Sequence, residues 1–258
     1  MKNLHSHTQF CDGKASMEEL LLAARASGFR QWGFSPHAPI SIPSPCNMAE
    51  EDVPAYLAEV NRLRALFPDM TILAGMEVDF LHGDNGPASQ KIASYGLDYV
   101  IGSVHFIPDR QGVFYDIDGS AERFQRNLHE VFNDDLEYVV RTFWLQTLRM
   151  LDAGGLDIIG HIDKIALNAT SVNPEIENWD EYKRLSQEAI NLAIAKGVTI
   201  EINTKHFKRS GRFFPHERFW PDILKKGAKV IISSDAHSPE GVDAGMREAM
   251  SNLNNLLR

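Results

Sequence analysis

Nine histidine and carboxylate residues are placed so that side chains from separate segments could converge on cations: His5, His7, Asp12, His37, Glu77, His105, His161, Asp235 and His237. His5-Ser6-His7 is an H-x-H pair. On an extended segment alternate side chains share a face, so both imidazoles can reach one ion. Asp235-Ala236-His237 repeats that spacing late in the chain. Each pattern alone is weak, because ten histidines in 258 positions give about 0.4 H-x-H pairs by chance. Glu77 is harder to dismiss: it lies inside the apolar run TILAGMEVDF, where a carboxylate is costly unless an arginine or another cation faces it. Nitrogen and oxygen donors without thiolate suit Zn²⁺, Mn²⁺ or Fe²⁺. Nine ligands are too many for one ion, so two to three divalent transition-metal ions, bridged by a carboxylate and a hydroxide, fit better and suit hydrolysis.

Other chemistries find less support. There is no G-x-S-x-G elbow, no G-x-x-x-x-G-K-[ST] loop, and no G-x-G-x-x-G after an apolar run. Cys11 has histidine neighbours, but nothing marks it as a thiolate nucleophile.

The candidate ligands, and with them the further strand-end carboxylates Asp79, Asp163 and Glu201, follow, or stand within, short apolar runs at Lys2–Leu4, Gln31–Phe34, Thr71–Val78, Leu97–Val104, Leu156–Ile159, Val198–Ile202 and Val230–Ile232. These runs are partly β-branched and do not strictly alternate, as expected of strands buried on both faces. Helical patterns separate them. Ser16 with Glu19 is a capping box before Leu20, Leu21 and Ala24, and Gly28 suits the stop. Asn178 with Glu181 is expected to open a second helix, and Ser238-Pro239-Glu240 the last one. Seven strand–helix alternations predict an α/β fold: a distorted seven-stranded (β/α) barrel, residues 1–258 as one hydrolase domain, with the active site at the C-terminal end of the strands. A doubly wound open sheet is the alternative. Five of the twelve prolines fall between Pro36 and Pro54, a candidate lid or a plain surface connection.

Composition sets outer bounds. With 43% hydrophobic and 24% charged residues the chain reads as globular, and its length can bury a core without disulfides. A net charge of −9 argues against nucleic acid or an anionic membrane as the partner. Two cysteines outside any C-x-x-C pair argue against a thiolate zinc cluster. With no apolar leader and no long apolar run, the expected location is cytoplasmic. Oligomeric state is not legible.

The ordered set HSHTQFCDG, SPH, GMEVDF, GSVHF, GHIDK, EINT and SDAH resembles the polymerase-and-histidinol-phosphatase superfamily, and within it the monofunctional histidinol-phosphate phosphatases. The resemblance spans residues 5 to 237 and implies a distorted seven-stranded barrel with a three-metal centre. It implies one ion on His5, His7, Glu77 and Asp235, a second sharing Glu77 with His105 and His161, and a third on Asp12, His37 and His237. His82, His129 and His216 match no motif and are expected to be dispensable. The implied activity is removal of phosphate from L-histidinol phosphate in histidine biosynthesis, by a hydroxide bridging two ions, with Asp235 or His237 holding or relaying its proton. The small phosphorylated substrate is expected to meet Asn203 and the cationic loop Lys205, Lys208, Arg209 and Arg212, with Arg209 slightly preferred as anchor. That loop, NTKHFKRSGRFFP, departs from the resemblance, since Lys205 and His206 stand where small residues are expected. Two other classes stay open: an amidohydrolase acting on a C–N bond, and an accessory module without turnover.

Overall fold

In the computed structural model, which describes residues 1–83 and 85–257, seven strands lie in one parallel sheet in chain order. They are β1 (Lys2–Asn3), β2 (Gln31–Phe34), β3 (Thr71–Asp79), β4 (Tyr99–Ser103), β7 (Ile158–Ile159), β8 (Thr199–Asn203) and β9 (Val230–Ser233). The first and last strands meet without a full ladder. A single parallel bridge joins Ser6 to Ala236, with the His7 amide donating to the Ala236 carbonyl at 2.8 Å. The Asn3 side chain accepts from the Ser234 amide at 2.8 Å, standing in for a missing backbone pair. The result is the nearly closed (β/α) barrel that the alternation of runs predicts.

Among the described residues ten α-helices accompany the strands: α1 (Met17–Ala26), α2 (Val53–Leu66), α3 (Gln90–Ser94), α4 (Ala121–Glu130), α5 (Leu136–Ala153), α6 (Ala166–Val172), α7 (Asp180–Ala195), α8 (Phe207–Ser210), α9 (Trp220–Lys225) and α10 (Met246–Leu256). The capping box at Ser16 and Glu19 is formed in both directions, and α1 buries Met17, Leu20, Leu21 and Ala24. Two helix starts differ from the sequence reading. Asn178 donates to Glu175 rather than capping, so α7 begins at Asp180. Pro239–Gly241 forms a separate 3₁₀ turn, and α10 starts only after Gly245, whose φ of +67° breaks any continuous helix. A two-stranded antiparallel hairpin, β5 (Phe106–Pro108) with β6 (Phe114–Asp116), was not anticipated; it follows β4 outside the barrel sheet.

The interior is closed at its N-terminal end. Tyr99, Ile101, Ile158 and Ile231 pack there with Leu4 and Leu73. A Cβ built on Gly75 would stand 2.3 Å from the Tyr99 ring, so only glycine lets that ring fill the barrel floor. Leu73, Gly75 and Glu77 share one face of β3 because strand side chains alternate. The apolar floor therefore passes, along one strand, into a polar upper layer. No helix among the described residues is long and apolar enough to cross a membrane.

Candidate metal centre

The upper layer brings all nine sequence candidates into one cluster. His5 Nε2, His7 Nε2, Glu77 Oε2 and Asp235 Oδ1 face one another. His5 Nε2 lies 3.3 Å from His7 Nε2, 3.3 Å from Glu77 and 3.7 Å from Asp235. His7 Nε2 lies 3.4 Å from Glu77 and 3.0 Å from Asp235. Donor atoms that share an ion at about 2.0–2.1 Å sit about 3.0–3.4 Å apart along the edges of the coordination polyhedron. Four of the five spacings fall in that range, and His5 to Asp235, at 3.7 Å, lies just outside it. A second triangle uses the other oxygen of the same carboxylate: Glu77 Oε1 is 2.9 Å from His161 Nε2 and 3.6 Å from His105 Nε2, and the two nitrogens are 3.4 Å apart. Ser103 Oγ donates to Glu77 Oε1 at 2.7 Å and fixes its rotation.

Hydrogen bonds behind the cluster decide which nitrogen each ring presents. His5 Nδ1 lies 2.7 Å from Glu201 Oε1, and His105 Nδ1 lies 2.9 Å from Asp79 Oδ1. With Nδ1–H donating backwards, Nε2 offers its lone pair to the centre, the usual carboxylate–histidine support of a metal ligand. Neutral His5 then aims an acceptor at His7, Glu77 and Asp235, which are acceptors too. Only a proton or a metal cation between them relieves that repulsion. Asn203 donates to both Glu201 Oε2 and Asp235 Oδ2 at 3.1 Å, leaving Asp235 Oδ1 for the cluster. His161 and Asp235 also hold φ of +23° and +51°. Such left-handed backbone costs about 1–3 kcal/mol per residue and persists where its surroundings enforce it, commonly at functional sites.

The third group differs from the one the resemblance implies. Asp12 Oδ2 is 3.3 Å from His237 Nε2, but these residues group with His7, whereas His37 groups with Glu77 and His105. His37 Nδ1 lies 3.2 Å from Glu77 Oε2.

Charge coupling is strong. Burial acts to lower the His5 and His105 pKa values, but Glu201, Asp235 and Glu77 around the first, and Asp79 and Glu77 beside the second, outweigh it and raise both to about 10. Burial dominates at His37 and His237 and lowers them to about 3 and about 4. Metal-free protein at neutral pH thus carries protons on His5 and His105 that an incoming ion must displace. Zinc affinity of stripped protein should therefore rise between pH 6 and 9, by about tenfold per pH unit for each proton released. Competition against a chromophoric chelator reads this slope; a flat profile would mean the ion does not meet these rings.

Above the cluster lies a cavity lined in part by Asp118, Arg123, Lys164, Lys205 and Phe106, with Pro43–Asn47 forming one wall. The proline-rich excursion therefore borders the site. Of the expected substrate contacts, only Lys205 lines this cavity. Asn203 is buried beneath it, bonded as described. Lys208 and Arg209 are exposed on α8. Arg212 is committed elsewhere: its guanidinium makes two hydrogen bonds to Glu177, at 2.9 and 2.8 Å, and one to Asp163 at 3.1 Å. Arg212, expected to meet the substrate, is here the cation of an ion pair with Glu177 and Asp163 and does not line the cavity. The cation the sequence reading passed over is Lys164, which is 5% exposed with Nζ 3.1 Å from Asp118 Oδ1. Its signal was its place beside Asp163 in GHIDK. Asp118 and Arg123 carried no such signal, since they follow the hairpin rather than a barrel strand. His82 and His129 are exposed, and His216 accepts from the Arg218 amide, outside the nine-residue cluster.

Residues 3–205 match the model of the PHP domain family. A "Probable histidinol-phosphatase" of Schizosaccharomyces pombe is 29% identical over 264 residues, covering 96% of this chain and 84% of its own. A "Histidinol-phosphatase" of Lactococcus lactis is 28% identical, with 92% and 85% covered. Among solved structures, one from Listeria monocytogenes, provisionally described as a histidinol phosphatase, superposes with a TM-score of 0.85 at 21% identity over 96% of this chain and 99% of that one. Histidinol phosphate phosphatase of Lactococcus lactis, solved with zinc, L-histidinol and phosphate, gives a TM-score of 0.71 at 20% identity over 99% and 93%. At these identities the two structures bear on the fold.

Proposed function

This chain belongs to the PHP domain family, and from that membership together with its donor cluster we propose that it is a metal-dependent phosphomonoesterase acting on L-histidinol phosphate. The observation that carries the reading is Glu77, whose two oxygens face two separate groups of imidazoles at 2.9–3.6 Å beneath a cavity lined by cations. His5, His7, Glu77 and Asp235 would hold one divalent ion, and Glu77, His105 and His161 a second. When bound, such ions activate water and neutralise phosphoryl oxygens. The chain's own residues do the rest. Lys164 and Lys205 supply positive charge to a phosphomonoester dianion entering a carboxylate-rich site. Asp235 Oδ1 would hold the proton of the attacking water, with His237 packed beside it. Phe106 and Pro43–Asn47 wall off the side on which the leaving group would lie. The substrate follows from the relatives, which are named for histidinol phosphate.

The test is phosphate release from a panel of phosphomonoesters that includes histidinol phosphate. Histidinol phosphate should be turned over with the highest kcat/KM, activity should vanish on chelation, and zinc or manganese should restore it. Preference for another ester would overturn the substrate; no release from any ester would overturn the reaction class.

A further inference from the structure

Two of the three donor groups have their atoms in place, and the third contains a cation of the protein's own. Lys205 follows β8, its amide donating to Asn203 Oδ1 at 3.1 Å, and its ammonium reaches back over the cluster. Nζ lies 3.0 Å from His237 Nε2 and 3.5 Å from Asp235 Oδ1. His237 Nδ1 lies 3.0 Å from the Asp235 carbonyl oxygen, to which it donates. Nε2 is therefore the acceptor of that ring, and an N–H of Lys205 takes its lone pair. Asp12 Oδ2, 3.3 Å from the same Nε2, adds negative charge opposite the ammonium. His37, which would complete a third metal site with Asp12 and His237, is turned to Glu77 and His105 instead.

We propose that the Lys205 ammonium serves as the third cation of this site, so that the chain binds two metal ions rather than three and offers Lys205 to a phosphoryl oxygen where a third ion would otherwise bind. An ammonium that occupies the His237 lone pair and lies 3.5 Å from Asp235 removes a donor from any incoming ion and repels it by its charge. It also delivers N–H donors to an anionic ligand without needing metal from solution. Because Asn203 ties both the Lys205 amide and Asp235, the lysine and the nearest metal ligand are held in a fixed relation. The inference rests on the metal centre proposed above but not on which phosphomonoester the site takes.

The experiment counts ions. Full-length protein stripped of metal is dialysed against Zn²⁺ and analysed for bound zinc per chain, for wild type, Lys205→Ala, Lys205→Met and Lys205→Arg. Wild type and Lys205→Arg should hold two ions, and Lys205→Ala and Lys205→Met should hold three. Lys205 is partly exposed, and the methionine variant keeps its stem, so folding is not at stake in both uncharged variants. Three ions in the wild type, or two in both uncharged variants, would overturn the proposal while leaving the metal centre standing. Fewer than two in the wild type would overturn the metal centre and this inference together.

Discussion

Glu77→Gln is expected to lower kcat on the phosphomonoester substrate by about 10³-fold or more, about 4 kcal/mol, and to reduce bound metal below two ions per chain. The size follows from what the carboxylate does. Loss of one ordinary hydrogen bond costs about 1 kcal/mol, or less than tenfold. Glu77 instead presents Oε2 to His5, His7 and His37 and Oε1 to His105 and His161. Among the nine candidates it is the residue whose two oxygens address two donor groups. An amide keeps the volume but exchanges one donor oxygen for an N–H that repels a cation, so one ion would lose its ligand outright and the other would keep only a neutral amide oxygen in place of a carboxylate. Glutamine is preferred to alanine because the side chain is 1% exposed and a void would confuse the reading. Metal analysis beside kinetics decides the matter: two retained ions with activity within tenfold of wild type would mean that Glu77 is not a bridge.

The candidacy of Glu77 was legible in sequence because burial and charge conflict visibly there. A carboxylate flanked by Met76 and Val78 in a run of strand-forming residues demands a partner, and the partners are histidines from other strand ends. The same logic located His5, His7, His105, His161 and Asp235, since parallel strands deliver whatever follows them to one rim. It failed where position along the chain does not encode the partner. Arg212 reads as a free cation in a basic loop, but Glu177, 35 residues earlier, closes on it in the folded chain. Asp79 and Glu201 stood out as strand-end carboxylates, yet only the fold shows that they lie behind His105 and His5 and orient them. The β5–β6 hairpin escaped notice because three-residue strands leave too short an alternation to distinguish from loop. With it went Asp118 and Arg123, which reach the cavity from that excursion.

Lys164→Met should lower kcat/KM by about 100-fold, about 2.7 kcal/mol, with metal content unchanged, whereas Arg209→Ala should stay near wild type. The anchor expected from sequence lies among residues 205–212; we propose that Lys164, which lines the cavity where Lys208, Arg209 and Arg212 do not, carries most of that duty. Lys164 is nearly buried, and burial alone would lower its pKa, but Asp118, Asp235 and Glu77 raise it, so the ammonium keeps its charge across the working pH range. A buried cation whose charge is sustained partly by the carboxylates of the metal cluster stands close to where phosphoryl oxygens must arrive. Its attraction for a dianion is greater there than that of a solvated arginine, because water screens an exposed pair and little water reaches this one. Methionine retains a stem of similar length, so the change is one of charge, that of an ammonium 5.7 Å from the Phe214 ring centre. Arg212→Ala should differ again, costing about 3 kcal/mol of stability through the stranded Asp163 and Glu177 carboxylates while the folded enzyme keeps its kcat/KM. Urea denaturation and steady-state kinetics on the three variants separate these effects. A Lys164→Met enzyme with near-normal kcat/KM beside a slow Arg209→Ala enzyme would return the anchor to the basic loop.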